Sequence, residues 1–154
     1  LTIVYNDPSN LEARGKMLVG SCLAGISFLK GLGFVHAISH MVGAEFDTQH
    51  GLTNAIVLPS VLKYNRHVMD KKIPIMSEAM GLKKNDFDNF YQSLCNLLDQ
   101  LEIPKNLKEI GVEASSVERL AEKALKDSAF ATNPRTASLE EMVDLINISM
   151  NKGR

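Results

Sequence analysis

The chain has 154 residues, 45% hydrophobic and 23% charged, and its 17 basic and 18 acidic side chains leave a formal net charge of −1. That size and balance suit one soluble globular domain with a sizeable core and exclude a disordered segment. There is no basic field to collect phosphates and no apolar run near the ~18–20 residues of a membrane span, so neither nucleic acid nor membrane is an expected partner.

The chain begins at Leu1 rather than at a methionine, which fits the later part of something longer. Asp7-Pro8-Ser9-Asn10 is a turn that can also cap a helix, and Glu12 sits in the first turn, where the helix dipole favours it. From Leu11 to about Lys30 apolar residues cover almost the whole circumference, with Gly15, Gly20, Ala24 and Gly25 among them. All-round apolarity predicts a central, buried helix, and Lys16 and Lys30 bracket only about thirteen residues, too few to cross a bilayer. Cys22 in this helix and Cys95 much later are too far apart for a metal or redox motif. Both read as buried, reduced thiols, which suggests a cytoplasmic protein.

Gly31-Leu32-Gly33 breaks this helix, and a second one follows to about Gly43. AEFDTQHG is polar and turn-like; LTNAIVLPSVLKYNRHVM then returns to helical character, with Pro59 expected to kink or restart the helix. IPIMSEAMG reads as a short helix closed by Gly81. Asn85 or Asp86 caps DFDNFYQSLCNLLDQL, whose Phe87, Phe90, Tyr91, Leu94, Leu97, Leu98 and Leu101 follow a helical period until Pro104 ends it. Ser115 or Ser116 caps VERLAEKALKD, and Ser138 with Glu141 forms a capping box for LEEMVDLINISM. No segment reads as a convincing strand, an internal repeat or a low-complexity linker, and there is no βαβ unit or glycine-rich phosphate loop. The expectation is one all-helical unit over residues 1–154.

Three of the four histidines, His36, His40 and His50, fall within fifteen residues. His36 and His40 lie one turn apart on one helical face, so their rings can converge. Imidazole is the commonest side-chain ligand of divalent transition metals. His50 follows a loop able to return it to the same spot, and Gly51 leaves the backbone room to turn. Two helical histidines alone often do no more than bond to carbonyls; the third is what favours a metal. Glu45 and Asp47 are further ligand candidates that read equally well as solvated loop charges, and His67 reads as an exposed side chain. No Ser/His/Asp, Cys/His or HExxH arrangement is present.

The string GLGFVHAISHMVGAEFDTQHGLTNAIVLPSVLKYN resembles the signature of the iron-containing (group III) alcohol dehydrogenases. In that family two histidines one turn apart precede a histidine-glycine pair and an NAxxLPxVLxxN helix. Gly31, Gly33, His36, His40, Gly43, His50, Gly51, Asn54, Ala55, Leu58, Pro59 and Asn65 match that pattern, and ATNPRTASLEEMVDLI resembles the family's TNPR segment and last helix. Met41 stands where many members have proline or glutamine. The resemblance implies an all-α, bundle-like fold, the C-terminal part of the dehydroquinate synthase-like architecture. The N-terminal α/β dinucleotide-binding domain is expected to be absent from this chain, together with two further metal ligands, an aspartate and a histidine.

By the same resemblance His36 and His50 are metal ligands, and His40 lines the space between metal, substrate and nicotinamide. This differs from the simpler geometric expectation that both helical histidines hold the metal. The implied activity of the intact protein is NAD(P)-dependent interconversion of an alcohol and an aldehyde, with Fe(2+) or Zn(2+), in a cytoplasmic homo-oligomer. This chain alone is expected to be inactive. Two other readings stay open: a zinc enzyme of the dehydroquinate synthase or glycerol dehydrogenase type, and a non-enzymatic helical metal-binding module.

Overall fold

The structure, a computed structural model, describes residues 1–151 and is all-α, with no strand among the described residues. The helices are α1 (Thr2–Asn6), α2 (Leu11–Ser27), α3 (Gly33–Phe46), α4 (His50–Asn65), α5 (Ile73–Ala79), α6 (Phe87–Gln100), α7 (Val117–Ala124) and α8 (Leu139–Asn151). Helix α3 is the hub. It packs against α4 and α7, and α8 closes the bundle against the same two. Phe34, Ala37, Ile38 and Val42 recur at helical spacing along α3 and are fully buried against Ile56 and Val57 of α4, Leu120 and Ala121 of α7, and Met142 and Ile146 of α8. Each large side chain among them contributes roughly 1.5–3 kcal/mol by leaving water.

The start of α3 is held from a hundred residues away in the chain. Its first amides have no intrahelical acceptors. The Thr132 hydroxyl oxygen accepts from Leu32 and Gly33 (3.0 and 3.2 Å), and the Asn133 side-chain oxygen accepts from Phe34 (3.3 Å). A Cβ on Gly31 would lie 2.4 Å from the Cβ of Thr132, and the φ of +100° there is itself hostile to other residues. The TNPR segment is tied down in turn. Asn133 and Asn65 exchange side-chain amide bonds at 2.9 and 3.0 Å, and the Arg135 guanidinium lies 4.0 Å over the Tyr64 ring. Phe130, just ahead of this segment, stacks on Phe34 with centroids 4.9 Å apart.

Most local signals act as expected. Asn10 caps α2 through the Ala13 amide (2.9 Å), and Asp86 caps α6 through Asn89 (2.7 Å). Ser138 and Glu141 make both bonds of the capping box, at 3.1 and 2.8 Å. Three details differ. The Ser116 hydroxyl donates to the Glu113 carbonyl (2.6 Å) and does not cap α7. Helix α4 runs unbroken through the buried Pro59. Helix α6 ends ahead of Pro104, where Glu102 takes a left-handed φ of 54° and the Glu102 and Ile103 amides return to the carbonyls of Asp99 and Leu98.

The larger correction concerns α2. It was expected to be central; instead only Ala13 is buried, and Leu11, Leu18, Val19, Leu23, Ile26 and Leu29 along it and the turn that follows are exposed. The break at Gly31-Leu32-Gly33 turns the chain by 100° and carries α2 away from the bundle, so its main contacts are with α1 and the following turn. Cys22, on α2, is therefore exposed, whereas Cys95 is buried as expected. Among the described residues no single helix is long and apolar enough to cross a membrane.

Candidate metal centre

The connection that brings His50 back is shorter than the sequence suggested. Helix α3 continues to Phe46, Asp47 closes it at a left-handed φ of 51° with its amide on the Gly43 carbonyl (3.0 Å), and α4 begins at His50 itself. Gln49 caps α4 through the Leu52 amide, and the Thr48 and Thr53 hydroxyls pair at 2.8 Å. A short, doubly fastened turn thus sets the first ring of α4 against the outer face of α3.

All three imidazoles meet there. Ring centroids lie 5.7 Å apart for His36 and His40, 5.2 Å for His36 and His50, and 5.5 Å for His40 and His50. Their bonding divides them. Nε2 of His36 and Nε2 of His50 both face the Asn54 side-chain amide nitrogen, at 3.2 and 3.0 Å. Asn54 stands one helical turn after His50, and its carbonyl oxygen accepts from the fully buried Ser39 hydroxyl at 2.5 Å. With that oxygen engaged, Asn54 turns its two N–H groups to the histidines, whose Nε2 atoms are the acceptors. His40 points its Nδ1 elsewhere, to the Asp127 carboxylate at 3.0 Å. Asp127 is held by the Ala129 amide (2.8 Å) and is only 12% exposed.

Burial pushes the His36 imidazolium below its ordinary range, and the neighbouring His50 and His40 rings add to the effect. The same burial favours the neutral ring, the form that can offer a lone pair to a metal. Its Nδ1 is buried and makes no hydrogen bond of good geometry, although the Leu32 carbonyl still favours a proton on the ring. A shallow groove of about 570 Å³, lined by Gly25, Ser27, Phe28, Leu32 and His36 among others, runs from this ring along the end of α2.

The alternative ligands are elsewhere. Glu45 is bound by Arg119 and Lys123 of α7, with Lys123 at 3.1 Å, and is committed to joining two helices. Asp47 and His67 are exposed. The donor chemistry suits a divalent transition metal: two imidazole Nε2 atoms converge on a single donor group. It is also incomplete by itself, since zinc sites take three or four protein ligands. Among the described residues no three His, Cys, Asp or Glu side chains form a group that could hold an ion. Sequence reasoning missed Asn54 and Asp127 as parts of the site. The i, i+4 spacing of Asn54 from His50 was a usable signal; Asp127 gave none.

Residues 1–150 match the Fe-containing alcohol dehydrogenase family, C-terminal, and the chain belongs to that family. It is 38% identical over 137 residues to the probable alcohol dehydrogenase EutG of Escherichia coli K12, an alignment covering 88% of this chain and 35% of that protein. To 1,3-propanediol dehydrogenase of Citrobacter freundii it is 33% identical over 144 residues, covering 89% of this chain and 37% of the other. The solved alcohol dehydrogenase from Oenococcus oeni has a TM-score of 0.90 and 28% identity, covering 96% of this chain and 40% of its own. The chain therefore spans little more than a third of the length of these relatives.

Proposed function

We propose that this chain is the metal-holding C-terminal part of an NAD(P)-dependent alcohol dehydrogenase, cytoplasmic and homo-oligomeric, that interconverts an alcohol and an aldehyde. The observation that carries the reading is the convergence of His36 Nε2 and His50 Nε2 on one point, beside a third histidine fastened to a carboxylate. His36 and His50 would hold the metal, iron(II) by the family's name or zinc by the same donor chemistry, and an earlier portion of a longer protein would supply further ligands and the dinucleotide-binding domain. When bound, the metal supplies Lewis acidity to the substrate oxygen and the nicotinamide exchanges the hydride. Asp127 accepts a hydrogen bond from the Nδ1–H of His40, which leaves Nε2 of His40 as the ring's basic nitrogen. From there His40 takes up the proton an alcohol loses on oxidation and returns it on aldehyde reduction.

The test is to assay the full-length protein, loaded separately with iron(II) and with zinc, for NAD- and NADP-dependent oxidation of short primary alcohols. Turnover that needs the metal and is lost in His36→Ala and His50→Ala is the expected result. A loaded, folded protein that binds metal tightly but oxidises no alcohol would instead support the metal-binding module.

A further inference from the structure

Asn54 is the group that both candidate ligands touch. Its amide stands on α4 one turn from His50 and across from His36 on α3, half-buried, with its orientation set by the buried Ser39 hydroxyl. The two Nε2 lone pairs it engages are the lone pairs that a metal ion must take, because imidazole binds metal through an unprotonated nitrogen. An N–H donor and a cation cannot use the same lone pair at once.

We propose that Asn54 is a positioning residue that gates this site. In metal-free protein its amide donates to His36 and His50 together, holding both rings in the Nδ1–H tautomer with their lone pairs converged, and an incoming divalent cation displaces it. This rests on the reading of His36 and His50 as metal ligands. The gate keeps the ligands in the form a metal needs while opposing occupancy, so its removal strengthens equilibrium binding. Two modest hydrogen bonds lost to competition correspond to about a tenfold change in affinity. Ser39 belongs to the same device, since without its hydroxyl the Asn54 side chain is free to reverse.

The experiment uses the full-length protein, stripped of metal, with nitrogen-15-labelled histidine. In metal-free protein the Nε2 resonances of His36 and His50 are expected at hydrogen-bonded, unprotonated positions, and to shift together in Asn54→Ala and in the bulkier Asn54→Leu. Nε2 resonances that do not move on removal of the amide overturn the proposal. Zinc affinity is then measured by competition with a chromophoric chelator. About tenfold tighter binding by Asn54→Ala is expected. Equal or weaker binding, including none measurable for either protein, overturns the gate. His36→Ala and His50→Ala separate the two claims. If they leave wild-type affinity unchanged while Asn54→Ala still moves the resonances, the metal-ligand reading fails and the hydrogen bonds stand. If they abolish binding but Asn54→Ala does not tighten it, the gate alone fails.

Discussion

At the scale of single residues, three histidines that look equivalent in the chain are separated by their partners. His36 and His50 share the Asn54 amide, whereas Nδ1 of His40 is taken by Asp127, 87 positions away. A histidine with one nitrogen fixed on a carboxylate has a defined tautomer and a defined direction for the other nitrogen. In the full-length enzyme Asp127→Asn is therefore expected to lower kcat by roughly 10–100-fold, the usual cost of losing such a supporting partner, with little change in KM or metal content. His40→Ala removes the proton carrier itself and costs more, on the order of 10²–10⁴. Steady-state kinetics with metal analysis on the same samples checks both. Loss of metal in Asp127→Asn would show the carboxylate to be supporting a ligand instead. Asp127 is invisible in the sequence because its spacing from His40 reflects the packing of α7 against α3, not any local period.

At the scale of elements, α3 carries two of the three histidines, and its placement rests on both ends of the bundle. Thr132 and Asn133 satisfy its first amides, and Glu45 near its last turn is held by Arg119 and Lys123 of α7. The hydrogen bonds from Arg119, reinforced by Lys123, bring the Glu45 carboxyl down from 4.5 to about 2. The folded state thus prefers the ionised carboxylate more strongly than the unfolded chain does. The resulting stability is present above pH 4.5 and is lost as the pH falls from there toward 2. Urea unfolding should accordingly show Glu45→Gln less stable than wild type near pH 6, with the two converging as the pH falls through that window. A difference that stays constant with pH would mean the ion pairs contribute nothing to it. The helices and the caps at Asn10, Asp86, Ser138 and Glu141 were legible because their signals act within one turn. The cap of α3 was not, since TNPR reads locally as a loop and its acceptors act a hundred residues away.

At the scale of the whole molecule, the bundle of α3, α4, α7 and α8 is a complete core, while α1 and α2 stand off it with apolar side chains in water. Periodicity had reported correctly that α2 is apolar all round; it could not report what lies against it. Exposed Leu18, Val19, Leu23, Ile26 and Leu29 form the kind of surface that associates. Sedimentation of this chain should show average mass rising with concentration, and Leu18→Glu with Leu23→Glu should suppress the rise. A strictly monomeric wild-type chain at high concentration would contradict this. The division of roles among the histidines is tested by elemental analysis of the purified full-length protein and its three histidine variants. One ion per chain in wild type and in His40→Ala, with at least a tenfold loss in His36→Ala and in His50→Ala, is the predicted result. A His40→Ala protein emptied of metal, beside a His36→Ala or His50→Ala protein that keeps it, would contradict the division of roles drawn from the Asn54 and Asp127 contacts.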